Sequence, residues 1–155
     1  SEIYKAKEDV NSIAHAHPMY GKTFSTLGKI LKPISQDSCA FYERTAIFSD
    51  YDGVANGPDE GINIAKALGD KEFCILQNHG ILTTGTMVDT AVWYFLNMED
   101  ACKSQLLAEA VGEPKIIPHE TACATRDYVA NDLSAYVSFQ PTIDVLWEEE
   151  PDLLD

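Results

Sequence analysis

A chain of 155 residues that is 45% hydrophobic can bury one core, and no shift in composition divides it, so a single domain is predicted. Eleven Lys and Arg against 25 Asp and Glu give a formal charge of -14, which repels phosphate backbones and anionic membrane surfaces over much of the exterior and argues against nucleic-acid and membrane partners. The same charge is compatible with a small anionic substrate, because a bound divalent ion and a few donors can reverse the potential inside one pocket.

In chain order, Ile3 to Lys7 reads as the end of a helix and Glu8-Asp9 as a polar turn. Val10 to Ala16 mixes β-branched and small side chains before Pro18 closes the run, which predicts a short strand. Beyond Pro18, the spacing of Met19, Tyr20, Thr23, Phe24 and Leu27 predicts a helix ending near Gly28. Ile30 to Ile34 reads as a short strand into the turn Ser35-Gln36-Asp37, and Ala46 to Phe48 as another before the turn-rich run Asp50-Tyr51-Asp52-Gly53. Pro58, Asp59 and Glu60 suit the first turn of a helix running to Leu68, with Gly69 as its stop. Phe73 to Gln77 is an apolar strand that delivers Asn78-His79-Gly80, and Ile81 to Thr84 continues extended. Thr86 and Asp89 form a T-x-x-D capping pattern for the longest helix, whose apolar stripe is Val88, Ala91, Val92, Phe95, Cys102 and Leu106 and whose end lies near Gly112. Trp93, Tyr94 and Met98 read as packing or a subunit contact. Pro114 and Pro118 interrupt the chain, a last helix covers Thr121 to Leu133, and residues 140–155 form an acidic tail, expected to be poorly ordered, behind a domain of residues 1–139.

The four cysteines, Cys39, Cys74, Cys102 and Cys123, are far apart with no C-x-x-C pair, which reads as buried free thiols in a reducing compartment. No apolar run approaches the ~20 residues of a membrane span and the N-terminus is charged, so the cytoplasm is the expected location. The chemistry concentrates in His15-Ala16-His17-Pro18. Alternate residues of a strand face the same way, so two imidazoles stand about 6.6 Å apart along one face, close enough to converge on one ion with bonds of about 2.0–2.1 Å. A third ligand has to come from His79 or His119, the remaining histidines.

The H-x-H run followed by a helix, a Gln36-Asp37 turn, a short helix, a strand into Asn78-His79-Gly80 and a long capped helix resembles the class II aldolase and adducin-head family, over about Ser1 to Gly112. In that resemblance His15 and His17 match the H-x-H metal ligands and His79 the histidine of the N-H-G motif. It implies a three-layer α/β/α sandwich around a mostly antiparallel sheet, assembled as a homotetramer with active sites at subunit interfaces. Members include aldolases, an epimerase, a dehydratase and decarboxylases, alongside adducin heads that have lost the metal ligands. Three neutral imidazoles leave a tetrahedral divalent ion, Zn2+ or a relative such as Mn2+ or Co2+, one open position. Such an ion can chelate the carbonyl and hydroxyl oxygens of a sugar-like substrate and stabilise an enediolate.

The resemblance also places the catalytic glutamate, and the Ser and Gly residues that hold a substrate phosphate, upstream of Ser1, so the chain is expected to be part of a longer protein; Glu2 falls out of register with the base. Asp37 sits near the acidic group of the epimerases and is the candidate catalytic residue here, with Gln36 placed to orient it. Tyr128 and Tyr136 lie where the aldolases lend a tyrosine across the interface, though packing is the simpler reading of both. His119 reads as an exposed loop residue. The expected function is a metal-dependent lyase cleaving or rearranging a small hydroxy-carbonyl compound; an adducin-like oligomeric module without turnover, and an epimerase or decarboxylase on the same ions, are the alternatives.

Overall fold

β3 (Phe73–Leu76) is buried on both sides, and the two layers that bury it follow from the alternation of its four side chains. The computed structural model describes residues 2–50 and 58–154. β1 (Ser12–Ala16), β2 (Thr45–Phe48), β3 and β4 (Gly80–Gly85) form one sheet in the order β1-β4-β3-β2. β1 and β3 both run antiparallel to β4, whereas β2 and β3 are parallel, so the sheet is mixed. A parallel pair needs a crossover, and α3 (Pro58–Leu68) lies in the connection between β2 and β3.

On one face Phe73 and Ile75 join Phe24 of α2 (Met19–Ser25) and Tyr94, Met98 and Cys102 of α4 (Val88–Val111). On the other, Cys74 and Leu76 meet Leu68 of α3 and Ile3 of α1 (Glu2–Ala6). Helices therefore cover both faces, as the three-layer expectation requires. Phe73, fully buried, removes enough apolar surface to contribute about 2–3 kcal/mol. Among the described residues no helix is long and apolar enough to cross a membrane.

Several predicted elements are corrected. Residues 30–34 are irregular rather than a strand: Pro33 has no N–H to give a ladder, the amide of Lys32 donates to the buried Gln105 side chain at 2.8 Å, and the carbonyl of Pro33 accepts from Ile117 at 2.8 Å. The long helix starts one residue later than the T-x-x-D pattern implies. The amide of Met87 donates to the hydroxyl of Thr90 at 3.2 Å, while the Thr86 hydroxyl leaves the helix to donate to Asp132 at 2.8 Å. Val88, assigned to the apolar stripe, is 65% exposed.

The last predicted helix is two, α5 (His119–Val129) and α6 (Asp132–Glu149), broken where Asn131 caps α6 by accepting from the amide of Ser134 at 3.0 Å. α6 carries the chain as helix well past Gln140, with Pro141 in its interior, where a poorly ordered tail was expected. Its buried residues, Ala135 and Phe139, both precede that point. Of the turn-rich run Asp50-Tyr51-Asp52-Gly53, residues 51–53 lie outside the described residues.

Candidate metal centre

β1 ends at Ala16, and the side chains of His15 and His17 emerge on one side of it, as period-two geometry demands. Their ring centroids are 5.2 Å apart. The hairpin between β3 and β4 supplies the third ring. Residues 77–79 make its turn, with Asn78 in the left-handed conformation at φ 58°, a state that asparagine tolerates better than other side chains. His79 thereby lies 4.9 Å from the His15 ring and 4.5 Å from the His17 ring. One ligating nitrogen from each of the three lies within 4.8 Å of the others. Of the two remaining histidines it is His79 that lies beside the pair; His119 is on α5, away from this group.

Three contacts hold the arrangement. The Nδ1–H of His15 donates to the carbonyl of Ile81 at 2.9 Å, which fixes the tautomer and leaves the lone pair on Nε2, the arrangement a metal-binding histidine uses. Gly80 lets the two strands close: a Cβ there would stand 2.5 Å from the carbonyl oxygen of Ala16 and 3.1 Å from Cδ2 of His17. Glu99, reaching from α4, accepts from the amides of Tyr20 at 2.8 Å and Gly21 at 2.5 Å. These are the exposed donors at the start of α2, so a carboxylate there both caps the helix and meets its positive end immediately after the H-x-H run. Burial, then the neighbouring His15 and His17, hold the His79 imidazolium below its ordinary pKa, while Glu60 acts in the opposite sense. The shift favours the neutral form of His79, which is the form a divalent ion requires.

Neither Glu99 nor Glu60 was found from sequence, and no spacing signal marks either one. Asp37 opens a 3-10 helix (Asp37–Phe41) and, with Gln36, Trp93, Asn97 and Tyr128, lines a cleft of about 260 Å³ that none of the three histidines lines. Glu2 pairs with Lys5 at 2.7 Å. Tyr128 and Tyr136 are exposed on α5 and α6, and Tyr94 and Met98 are core. Cys39, Cys74 and Cys102 are buried as expected, but Cys123 is partly exposed, and His119 begins a helix instead of lying in a loop.

The family model for the class II aldolase and adducin N-terminal domain matches residues 1–106. The chain belongs to this family. It is 37% identical over 153 residues to a protein named decarboxylase NovR from Streptomyces niveus, covering 99% of this chain and 57% of that protein. It is 35% identical over 120 residues to alpha-adducin of Rattus norvegicus, covering 76% of this chain and 16% of the adducin. Among solved structures, an L-fuculose 1-phosphate aldolase from Glaciozyma antarctica superposes with a TM-score of 0.85 at 38% identity, covering 97% of this chain and 57% of that one. This class II aldolase domain therefore spans little more than half the length of the decarboxylase and the aldolase that it matches.

Proposed function

We propose that this domain is the metal-binding part of a metal-dependent lyase of the class II aldolase type, with His15, His17 and His79 as ligands of Zn2+ or of a similar ion such as Mn2+ or Co2+. The observation that carries the reading is the convergence of three imidazoles, one of them oriented by the Ile81 carbonyl. An ion held there would act as a Lewis acid on the carbonyl of a small hydroxy-carbonyl, sugar-phosphate-like substrate while an adjacent carbon–carbon or carbon–hydrogen bond breaks. The protein's own contribution is to favour the neutral form of His79, to fix the His15 tautomer, and to hold α2 and the hairpin around them through Glu99 and Gly80.

The names of the relatives include a decarboxylase and an aldolase, and both reactions break a carbon–carbon bond, so the proposal is the lyase class common to them. Residues 1–139 serve as the family domain and residues 140–155 as an acidic extension. Assembly into a homo-oligomer, a tetramer in the closest reading of the family, is supported by exposed apolar side chains on α5 and α6, including Tyr128, Leu133 and Val137.

The alpha-adducin likeness supports the competing reading, a binding module without turnover. Elemental analysis of protein purified without added metal separates the two. The lyase reading expects the three-histidine group to hold about one divalent transition-metal ion per chain, so His79→Ala should carry about one ion fewer than the parent while assembly is kept. Equal metal content in the parent and in His79→Ala, with or without added metal, would leave the binding module.

A further inference from the structure

We infer that Glu43, His119 and Cys123 form a second metal site, suited to a borderline-soft divalent ion such as Zn2+, at the opposite end of the sheet from the three histidines. His119 and Cys123 are four residues apart on α5, so both occupy one face of the helix. That face lies against the turn that leads from the 3-10 helix into β2, where Glu43 holds φ 61°. One ligating atom from each of the three side chains lies within 4.8 Å of the others.

The individual distances are tighter. Sγ of Cys123 is 3.8 Å from Oε2 of Glu43 and 3.8 Å from Nδ1 of His119, and that Nδ1 is 3.7 Å from Oε1 of Glu43. Around a tetrahedral zinc with bonds of about 2.3 Å to sulfur and about 2.0–2.2 Å to nitrogen and oxygen, neighbouring donors stand roughly 3.4–3.6 Å apart. A contraction of a few tenths of an ångström, with a turn of the Glu43 carboxylate that brings one oxygen to both partners, closes the group on an ion. A thiolate, an imidazole and a carboxylate together suit zinc and disfavour magnesium and calcium, which take oxygen ligands.

Two neighbours shape the site. The hydroxyl of Tyr42 is 3.2 Å from Nδ1 of His119, so that contact gives way when the ion takes Nδ1. Arg126 competes for the carboxylate at 3.5 Å, although its guanidinium also pairs with Asp127 at 2.9 Å. His119 and Glu43 are 63% and 51% exposed at the side chain. The ion therefore exchanges with solvent, and on binding it displaces the thiol proton to water.

The two sites share no residue. Thr45 pairs with Phe73 in the parallel register of β2 and β3; Glu43 lies just before the first of these strands, and His79 lies beyond the end of the second. At about 3.3 Å per residue they are separated by at least roughly 10 Å.

Cobalt titration of the reduced protein, followed by absorption, tests the inference directly, because among the described residues this is the candidate ligand group that contains a thiol. A thiolate-to-cobalt charge-transfer band is expected, bleached by added Zn2+, kept in His79→Ala and lost in Cys123→Ser. His119→Ala and Glu43→Gln should each weaken the cobalt affinity read from that band by about tenfold or more. Absence of the band at saturating cobalt, or its persistence in Cys123→Ser, overturns the site. Unchanged affinity in both His119→Ala and Glu43→Gln overturns it equally, since the thiol would then bind alone.

Discussion

Gly80→Ala is expected to lose most of its affinity for a divalent ion at the three-histidine group and to melt several degrees below the parent. The new methyl would stand 2.5 Å from the backbone oxygen of Ala16, an atom in the strand pairing that cannot rotate away, and 3.1 Å from the ring of His17. β1 and β4 must part where His17 and His79 meet, and overpacking of this kind costs about 1–3 kcal/mol. For a chain of this size that corresponds to roughly 2–12 °C in Tm. Because ligands have to be held to a few tenths of an ångström, the loss in affinity should be at least about tenfold, in the range that follows damage to a ligand's supporting contacts. Calorimetric titration and a thermal melt read both effects. Gly112→Ala is the control, since nothing lies within 4 Å of a Cβ at that position; parental affinity in Gly80→Ala would show that the strand contact does not set the ligand geometry.

The second large effect is expected at Arg44, which joins the sheet layer to the junction of α5 and α6. Its guanidinium makes a two-pronged pair with Glu72, through Nε and, at 2.7 Å, through Nη2. It also donates to the carbonyl of Ala130 at 3.0 Å, and it lies over the rings of Phe73 at 5.1 Å and Tyr94 at 5.4 Å. Arg44→Ala removes all of these and leaves the Ala130 carbonyl without that donor. Glu72 is 39% exposed at the side chain, so water screens part of the lost pair, and about 2–3 kcal/mol is expected instead of the full cost of breaking a buried one. Arg44→Lys should recover less than half, because a single ammonium cannot make the fork or the stacking. Urea denaturation of the three proteins measures the difference; full recovery by lysine would mean that charge alone matters.

Much of the site was legible because it rests on local geometry. Two histidines separated by one residue in a strand must share a face, and that part needed no structure. His79 could be named only through family resemblance, since nothing in a spacing of dozens of residues says that a hairpin will bring it to β1 in preference to His119. The layers likewise came from the resemblance; the continuous apolar run of β3 agrees with burial on both faces.

The failures also have physical causes. Residues 30–34 look like a strand by composition, but Pro33 and the Gln105 contact send their backbone groups elsewhere. The acidic residues near the C-terminus and the interior Pro141 obscured α6, whose start was nevertheless announced by Asn131 as a cap. Glu99 was invisible because its role depends on how α4 crosses α2. Sequence periodicity places a residue on a face but does not say which neighbouring helix end the face will meet.

The burial of the thiols has a practical side. Burial pushes the thiols of Cys74 and Cys102 up to about 12 and raises that of Cys39 as well, so at neutral pH three of the chain's four thiols are chemically silent. Alkylation of the native protein is confined to Cys123, and the other three become reactive only as the layers around the sheet separate. The number of alkyl groups added per molecule, read by mass, is thus a built-in gauge of opening: one while the sandwich is closed, four when it has come apart.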